Sequence, residues 1–152
     1  MKILYVTTVI STMDFFIEHI KMLQGEGHVV DLATNVVSPI NDSIKNLNCR
    51  IHQIDFSRNP FSKDNLKAYQ QLKDLIKKEK YDIIHTHTPN ASAIVRMVCL
   101  FNKQKNRKVI YTAHGFHFYK GAHWKNWVIF FPVEWICSFF TDTLITINQE
   151  LM

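Results

Sequence analysis

The side chains in this sequence that could do chemistry are imidazoles and hydroxyls placed at the ends of apolar runs. Residues 108–119, KVIYTAHGFHFY, read as a short buried strand at 109–112 that stops at Ala113-His114-Gly115. A strand ending in a small residue, a titratable one and a glycine marks a backbone that approaches something closely. Gly115 can take positive φ and puts no Cβ in the way. Ligands of an open parallel sheet sit just beyond the carboxyl ends of its strands, so His114 and Gly115 are the first candidates for a site. The second candidates lie in residues 81–90, YDIIHTHTPN. His85 and His87 alternate on one strand and project to the same side. Asn90 sits in the loop that follows. His87 or His114, facing a cleft, would donate to a substrate oxygen, whereas His85 and His117 read as satisfied strand-end histidines. Four histidines at one sheet edge could bind zinc. No Asp, Glu or Cys stands at ligand spacing among them and H-E-x-x-H is absent, so no metal is expected.

A third candidate is the first loop, residues 7–14, which follows an apolar run and opens a helix. The free N–H groups of a helix N-terminus form an anion site, with Ser11 and Thr12 either touching the ligand or only capping the helix. The loop lacks G-x-G-x-x-G, which argues against a dinucleotide. The acids in the presumed cleft loops are Asp14 and Glu134; no carboxylate pair, Ser-His-Asp set or G-x-S-x-G elbow is readable. These residues describe a binding half-site more than a complete catalytic machine.

The elements that must position them follow from periodicity. Residues 2–8 form a β-branched run suited to a strand buried on both faces. Phe16, Ile17, Ile20 and Leu23 then recur at helical spacing up to Gly25-Glu26-Gly27. Further strands are expected at 28–33, 50–54, 81–85, 109–112 and 143–147. A weak short helix is expected near 42–47. A long amphipathic helix, capped by Ser62 and reaching about Lys80, should bury Leu66, Tyr69, Leu72, Leu75 and Ile76, with Lys77, Lys78 and Lys80 complementing the dipole. Helices are also expected at 91–101, with small residues toward the sheet, and at 124–140, where Pro132 should kink the helix or start a second segment. Strands alternating with helices imply a parallel sheet with right-handed crossovers, Rossmann-like and doubly wound, in the order 3-2-1-4-5-6.

Composition bounds the rest. The 152 residues suffice for one well-cored domain, and 47% apolar with 20% charged residues is a globular balance. Three cysteines at wide spacing suggest buried thiols in a reducing compartment. No secretory signal is visible, and the longest apolar run, 127–140, is shorter than the roughly 20 residues a spanning helix needs. Up to Val95 there are 11 basic and 10 acidic residues; from Arg96 there are 7 and 3. Ten of the 19 aromatic residues lie between Phe116 and Phe140, in the same basic half. That stripe exceeds what one helix face can bury, so part of it reads as a patch for an anionic membrane or a partner domain. Nucleic acid is not expected, because no RNP, KH or helix-turn-helix pattern accompanies the lysines.

The segments KILYVTTV, YDIIHTHTPNAS, VIYTAHGFHFYKGA, PVEW and TDTLITINQE together resemble the N-terminal domain of glycosyltransferase family 4, in particular bacterial enzymes of capsular or exopolysaccharide assembly. The resemblance covers nearly the whole chain. It implies the N-terminal half of a GT-B fold, with residues 1–147 as the acceptor-side domain. Residues 148–152 would begin a linker to a C-terminal nucleotide-sugar-binding domain outside this sequence. It further implies transfer from a nucleotide-sugar, UDP-linked, with retention and without metal or other cofactor. The acceptor would be a lipid-linked glycan at the inner leaflet, so the chain would be cytoplasmic and peripheral to the inner membrane, and inactive alone. His114 would match the cleft histidine that contacts the transferred sugar. Residues 9–14, with Ser11 and Thr12, would lie under donor phosphates and acceptor, and His87 and Asn90 on the acceptor side. The sequence departs from the family where Trp135 replaces an Arg after Glu134, where Ile10-Ser11-Thr12-Met13 replaces a glycine-rich loop, and at Leu151. Two other readings share the architecture: a non-catalytic or membrane-attachment subunit of a split glycosyltransferase, and half of a nucleotide-sugar epimerase.

Overall fold

Six strands form one parallel sheet in the computed structural model, which describes residues 1–115 and 121–147. In chain order they are β1 (Lys2–Val9), β2 (Val29–Asn35), β3 (Ile51–Gln53), β4 (Ile83–Thr86), β5 (Lys108–Ala113) and β6 (Thr143–Thr146). Across the sheet the order is β3-β2-β1-β4-β5-β6, the expected doubly wound arrangement. The helices are α1 (Ile17–Gly25), α2 (Asp42–Lys45), α3 (Asp64–Glu79), α4 (Pro89–Phe101) and α5 (Trp124–Ser138). His117 and the expected linker 148–152 lie outside the described residues.

β1 sits between β2 and β4, pairing Leu4 with Asp31 and Ile84. Its residues from Ile3 onward are all buried, which explains why the strand reads as an uninterrupted apolar run. On one face Leu4, Val6, Ala33, Ile84 and Val109 pack with Leu72 and Ile76 of α3 and Val95 and Val98 of α4. On the other, Ile3, Tyr5, Val30 and Leu32 pack with Met13, Phe16, Ile20 and Ile44. The buried Asp31 is tied by Arg50 at 3.2 and 2.7 Å and by the Tyr81 hydroxyl at 2.7 Å, while Glu79 bonds both Arg50 and Lys2. Burial alone would raise the Asp31 pKa; its bonds to Arg50 and Tyr81 outweigh that and hold it below the usual carboxylate range.

Two local expectations are corrected. The chain after β1 does not enter an α-helix at Ser11. It makes a 3-10 turn over Ile10–Phe16, preceded by Val9 with no side-chain cap, and α1 begins only at Ile17. A 3-10 turn repeats every three residues, so Ile10, Met13 and Phe16 all point inward, and that burial outweighs capping by Ser11 or Thr12. Leu66 of α3 is 75% exposed, whereas Ala68, Leu72 and Ile76 take the inner stripe. Ser62 nevertheless accepts from the Asp64 N–H at 3.2 Å, just ahead of α3. Pro132 sits inside α5 without dividing it. It removes one backbone donor but leaves the turns on either side intact. Finally, Arg96 is buried in α4 among its small and aliphatic residues.

Candidate functional site at the carboxyl rim of the sheet

The strand order reverses between β1 and β4, and the crevice beyond their carboxyl ends is where an open α/β sheet binds ligands. Hydroxyl bonds lace the two loops there. The Thr8 N–H donates to Thr88 Oγ1 at 2.9 Å, and the two Oγ1 atoms lie 2.7 Å apart. Thr7 Oγ1 donates to the Val9 carbonyl at 3.0 Å, and the His87 N–H to the Val6 carbonyl at 3.2 Å. The loops are therefore held in place from within the rim.

His85 and His87 emerge on the α1 side of the sheet, as their alternation requires, with ring centroids 4.1 Å apart. His85 Nε2 bonds Thr112 Oγ1 at 2.8 Å, a satisfied strand-end histidine. Burial first, then the charges of His19 and His114, push its pKa down to about 4. His87 is 2% exposed beneath Phe16, whose ring stacks on it at 3.9 Å. Neither of its ring nitrogens has a partner among the described residues. Burial, followed by its histidine neighbours, holds it neutral. Beyond it, His114 is exposed at the end of β5, its ring 5.9 Å from both His87 and Phe16. A ligand entering the crevice would meet His114 and Phe16 before His87.

His19 was not singled out from the sequence. It lies on α1 with Nδ1 2.6 Å from the Tyr5 hydroxyl, and Tyr5 stacks on His87 at 5.2 Å. Its signal was the spacing of three from Phe16; unlike the buried Phe16 it is exposed, and its ring reaches Tyr5 and His85 from the start of α1. The rings of His19, His85, His87 and His114 meet by edge and tilted contacts. Among the described residues no group of three His, Cys, Asp or Glu side chains is arranged to hold a metal ion.

The other candidates occupy the same rim with different duties. Asn90 Nδ2 donates to the carbonyls of Ser57 at 3.0 Å and Arg58 at 2.7 Å, fastening the β3–α3 loop to the start of α4. Ser11 is exposed and Thr12 half-buried on the 3-10 turn, six and five residues before α1 begins. The expected anion site at a helix N-terminus is thus displaced from both. Gly115 does not take positive φ, which only Gly27 and Gly121 do among the described glycines. A Cβ added there would meet nothing within 4 Å, so neither backbone conformation nor crowding among the described residues demands glycine. Glu134, on α5, receives both terminal nitrogens of Arg96 at 2.8 and 2.9 Å.

A groove of about 670 Å³ opens at this rim beside Asn90 and Gly115 and runs along α4 between α3 and α5. Its walls are almost entirely apolar, and Lys63 and Glu134 are its only charged lining residues among those described.

Comparison with known proteins places these features in a family. The sequence profile described as glycosyl transferase 4-like matches residues 2–148. EpsD of Bacillus subtilis (strain 168), named as a candidate glycosyltransferase, is 48% identical over 97 residues, which are 64% of this chain and 26% of EpsD. MurG of Acinetobacter baumannii superposes with a TM-score of 0.69 at 16% identity, over 98% of this chain and 42% of that one. The lipopolysaccharide outer core galactosyltransferase WaaB gives 0.66 at 13% identity, over 99% and 40%. UDP-GlcNAc 2-epimerase of Neisseria meningitidis, solved with UDP-GlcNAc, gives 0.68 at 12% identity, over 96% and 40%. At these identities the solved structures establish the fold: one half of a two-domain GT-B architecture. The chain spans about a quarter of EpsD and two fifths of these three chains.

Proposed function

The chain belongs to the glycosyl transferase 4-like family, and from that premise we propose that it is the acceptor-binding half of a glycosyltransferase in surface polysaccharide assembly. The sugar comes from a nucleotide-sugar, UDP-linked, whose nucleotide is held by a second domain. It passes with retention to a lipid-linked glycan lying across the rim of β1, β4 and β5. The observation that carries this reading is His114, a titratable ring exposed at the crevice where the strand order reverses.

Each rim residue has a part. His114 donates to a hydroxyl of the transferred sugar. Phe16, tilted 59° against it at 5.9 Å, supplies an apolar wall, and the neutral His87 lies behind it. Ser11, Thr12 and the Asn90 carboxamide oxygen face the acceptor's hydroxyls, with Gly115 leaving room for the sugar. Stabilisation of the leaving diphosphate, the largest contribution expected in such chemistry, falls to the second domain. The exposed aromatic surface of α5 and the basic loop before β5 rest on anionic lipid, which brings the rim to the membrane where the acceptor resides.

The test is turnover in the complete enzyme that carries this chain, with a UDP-sugar and polyprenyl-diphosphate-linked acceptor. His114→Ala is expected to lower kcat by about 10²-fold or more, the effect of losing one directed donor, with unchanged thermal stability because the residue is exposed. Full activity in that variant, or turnover by the 152 residues alone, would sink the reading. Epimerisation of the UDP-sugar with no acceptor present would replace it with the epimerase reading.

A further inference from the structure

The imidazole of His87 is 2% exposed and has no partner on either ring nitrogen among the described residues. A polar group buried unpaired costs stability, so its presence calls for a reason beyond packing. The open crevice is close by, since the exposed His114 lies only 5.9 Å away. What stands over His87 is the ring of Phe16, stacked on it at 3.9 Å.

Phe16 ends an unusual segment. Ile10–Phe16 is seven residues of 3-10 helix, a form whose poorer hydrogen-bond geometry makes runs beyond three or four residues uncommon. Neither this turn nor α1 has a side-chain cap, because Val9 and Phe16 occupy the capping positions. Yet the turn carries the signals of an α-helix start one turn earlier. Thr12 is a residue type that caps well, and Asp14 would put a negative charge in the first turn. Asp14 is exposed and accepts only from Asn41 Nδ2, at 3.2 Å, among the described residues. An α-helix advances about 100° per residue and a 3-10 helix about 120°. If residues 13–16 relax to α geometry about a fixed Met13, Phe16 swings by about 60° around the axis. That carries its ring off His87 while the fully buried Ile10 and Met13 remain anchored.

Resting on the acceptor reading above, we infer that residues 10–16 exchange between two forms. The 3-10 form covers His87, and an extension of α1, capped by Thr12, opens it to a hydroxyl of the acceptor sugar. The neutral ring can donate from one nitrogen and accept at the other. A bond made only in the open form gives the acceptor a higher affinity for that form and shifts the exchange toward it.

Diethyl pyrocarbonate, which acylates accessible neutral imidazoles, reads this exchange in the complete enzyme that carries the chain. His85, 7% exposed and bonded to Thr112, is the internal standard for a buried ring. In a timed pulse at pH 7 followed by peptide mapping, His87 is expected to label about tenfold faster than His85, through local opening. Thr12→Ala is expected to slow His87 about fivefold, the effect of losing one cap, and to leave His85 unchanged. Equal labelling of the two histidines, or no response to Thr12→Ala, overturns the inference.

Turnover with a UDP-sugar and a polyprenyl-diphosphate-linked acceptor tests what His87 bonds. His87→Phe keeps the ring stack and removes the unpaired nitrogens. It is expected to raise Tm, and to raise KM for the acceptor about tenfold, the loss of one hydrogen bond, but not KM for the UDP-sugar. His87→Gln, which can still bond a hydroxyl, is expected to recover part of that. An unchanged acceptor KM in His87→Phe would make His87 a packing residue and overturn the inference. Where that variant does not fold, the parent enzyme decides: saturating acceptor is expected to protect His87 from labelling, and unprotected labelling counts against it. If these tests fail while His114→Ala still lowers kcat, the exchange is excluded and the acceptor reading stands. If His114→Ala is fully active, the acceptor reading fails and this inference falls with it.

Discussion

Arg96 and Glu134 form a two-bond ion pair across the interface of α4 and α5, with the guanidinium nitrogens 2.8 and 2.9 Å from the carboxylate oxygens. The Arg96 side chain is 2% exposed and Glu134's 16%, and the guanidinium also lies over the Tyr111 ring at 4.6 Å. The pair matters because α5 has so little else to hold it. Cys137 is its only fully buried residue among those described, although most of its other side chains are apolar.

Removing one partner should therefore cost more than removing both. Glu134→Gln leaves a buried guanidinium without its counter-ion and is expected to destabilise the fold by about 3–5 kcal/mol. Replacing both, Arg96→Met with Glu134→Leu, is expected to recover most of that, because a desolvated pair offers little net stability over apolar groups of similar volume. Urea unfolding of the three proteins decides it. A single variant as stable as the parent would mean that the pair does not hold α5 in place.

Acid sensitivity should begin with the histidines. The folded state holds His85 at about 4, mainly by burial, and His87 lower still, whereas unfolded imidazoles titrate near 6.5. Between those values the unfolded chain binds more protons, so stability is complete above about pH 6.5 and falls as the pH drops toward 4. At pH 5 the loss is about 2 kcal/mol for each ring. The groups facing them are Tyr5, Phe16, His19, Thr112 and His114, none of them an acid that could rescue the charged form. Glu79, held at about 2, and Asp31, also lowered, lose their contribution only at more acid pH. Thermal melting from pH 7 to 5 is expected to show a falling Tm in the parent and a flatter profile in His85→Gln with His87→Phe. Parallel profiles would mean that these imidazoles accept protons freely in the folded state.

The inner stripe of α3 separates two leucines six residues apart. Leu72 is fully buried and Leu66 is 75% exposed. Leu72→Ala is expected to cost about 2–5 kcal/mol, the range for emptying a packed leucine site. Leu66→Ala is expected to stay within about 0.5 kcal/mol. Chemical denaturation gives both numbers, and similar values for the two would contradict the packing of α3.

Exposed aromatic residues on α5 should report on membrane contact. Trp124 is 64% and Trp135 58% exposed, and the basic loop at 102–107 lies beyond Phe101. No helix among the described residues is long and apolar enough to cross a membrane. Flotation with phosphatidylglycerol vesicles is expected to recover the parent chain at low salt, and much less of the variant Trp124→Ala with Trp135→Ala. Equal recovery would remove α5 from the membrane side of the proposal.

The sequence by itself determined the sheet and its order. A β-branched run can satisfy burial on both faces only inside a parallel sheet, and the alternation of strands with helices then leaves few topologies. It also determined that His85 and His87 share a face, because strand periodicity is local geometry. What only the tertiary structure decided were the partners those residues meet. Ser11 and Thr12 read as helix caps, but the depth available to Ile10, Met13 and Phe16 set a 3-10 turn there instead. Leu66 carried the same helical period as Leu72, and only the position of α4 left it uncovered. Arg96 could be buried because Glu134, 38 positions later in the chain, folds back against it. Whether a polar side chain is exposed, neutral or paired depends on desolvation and on charges from distant segments, and those distances exist only once the chain has folded.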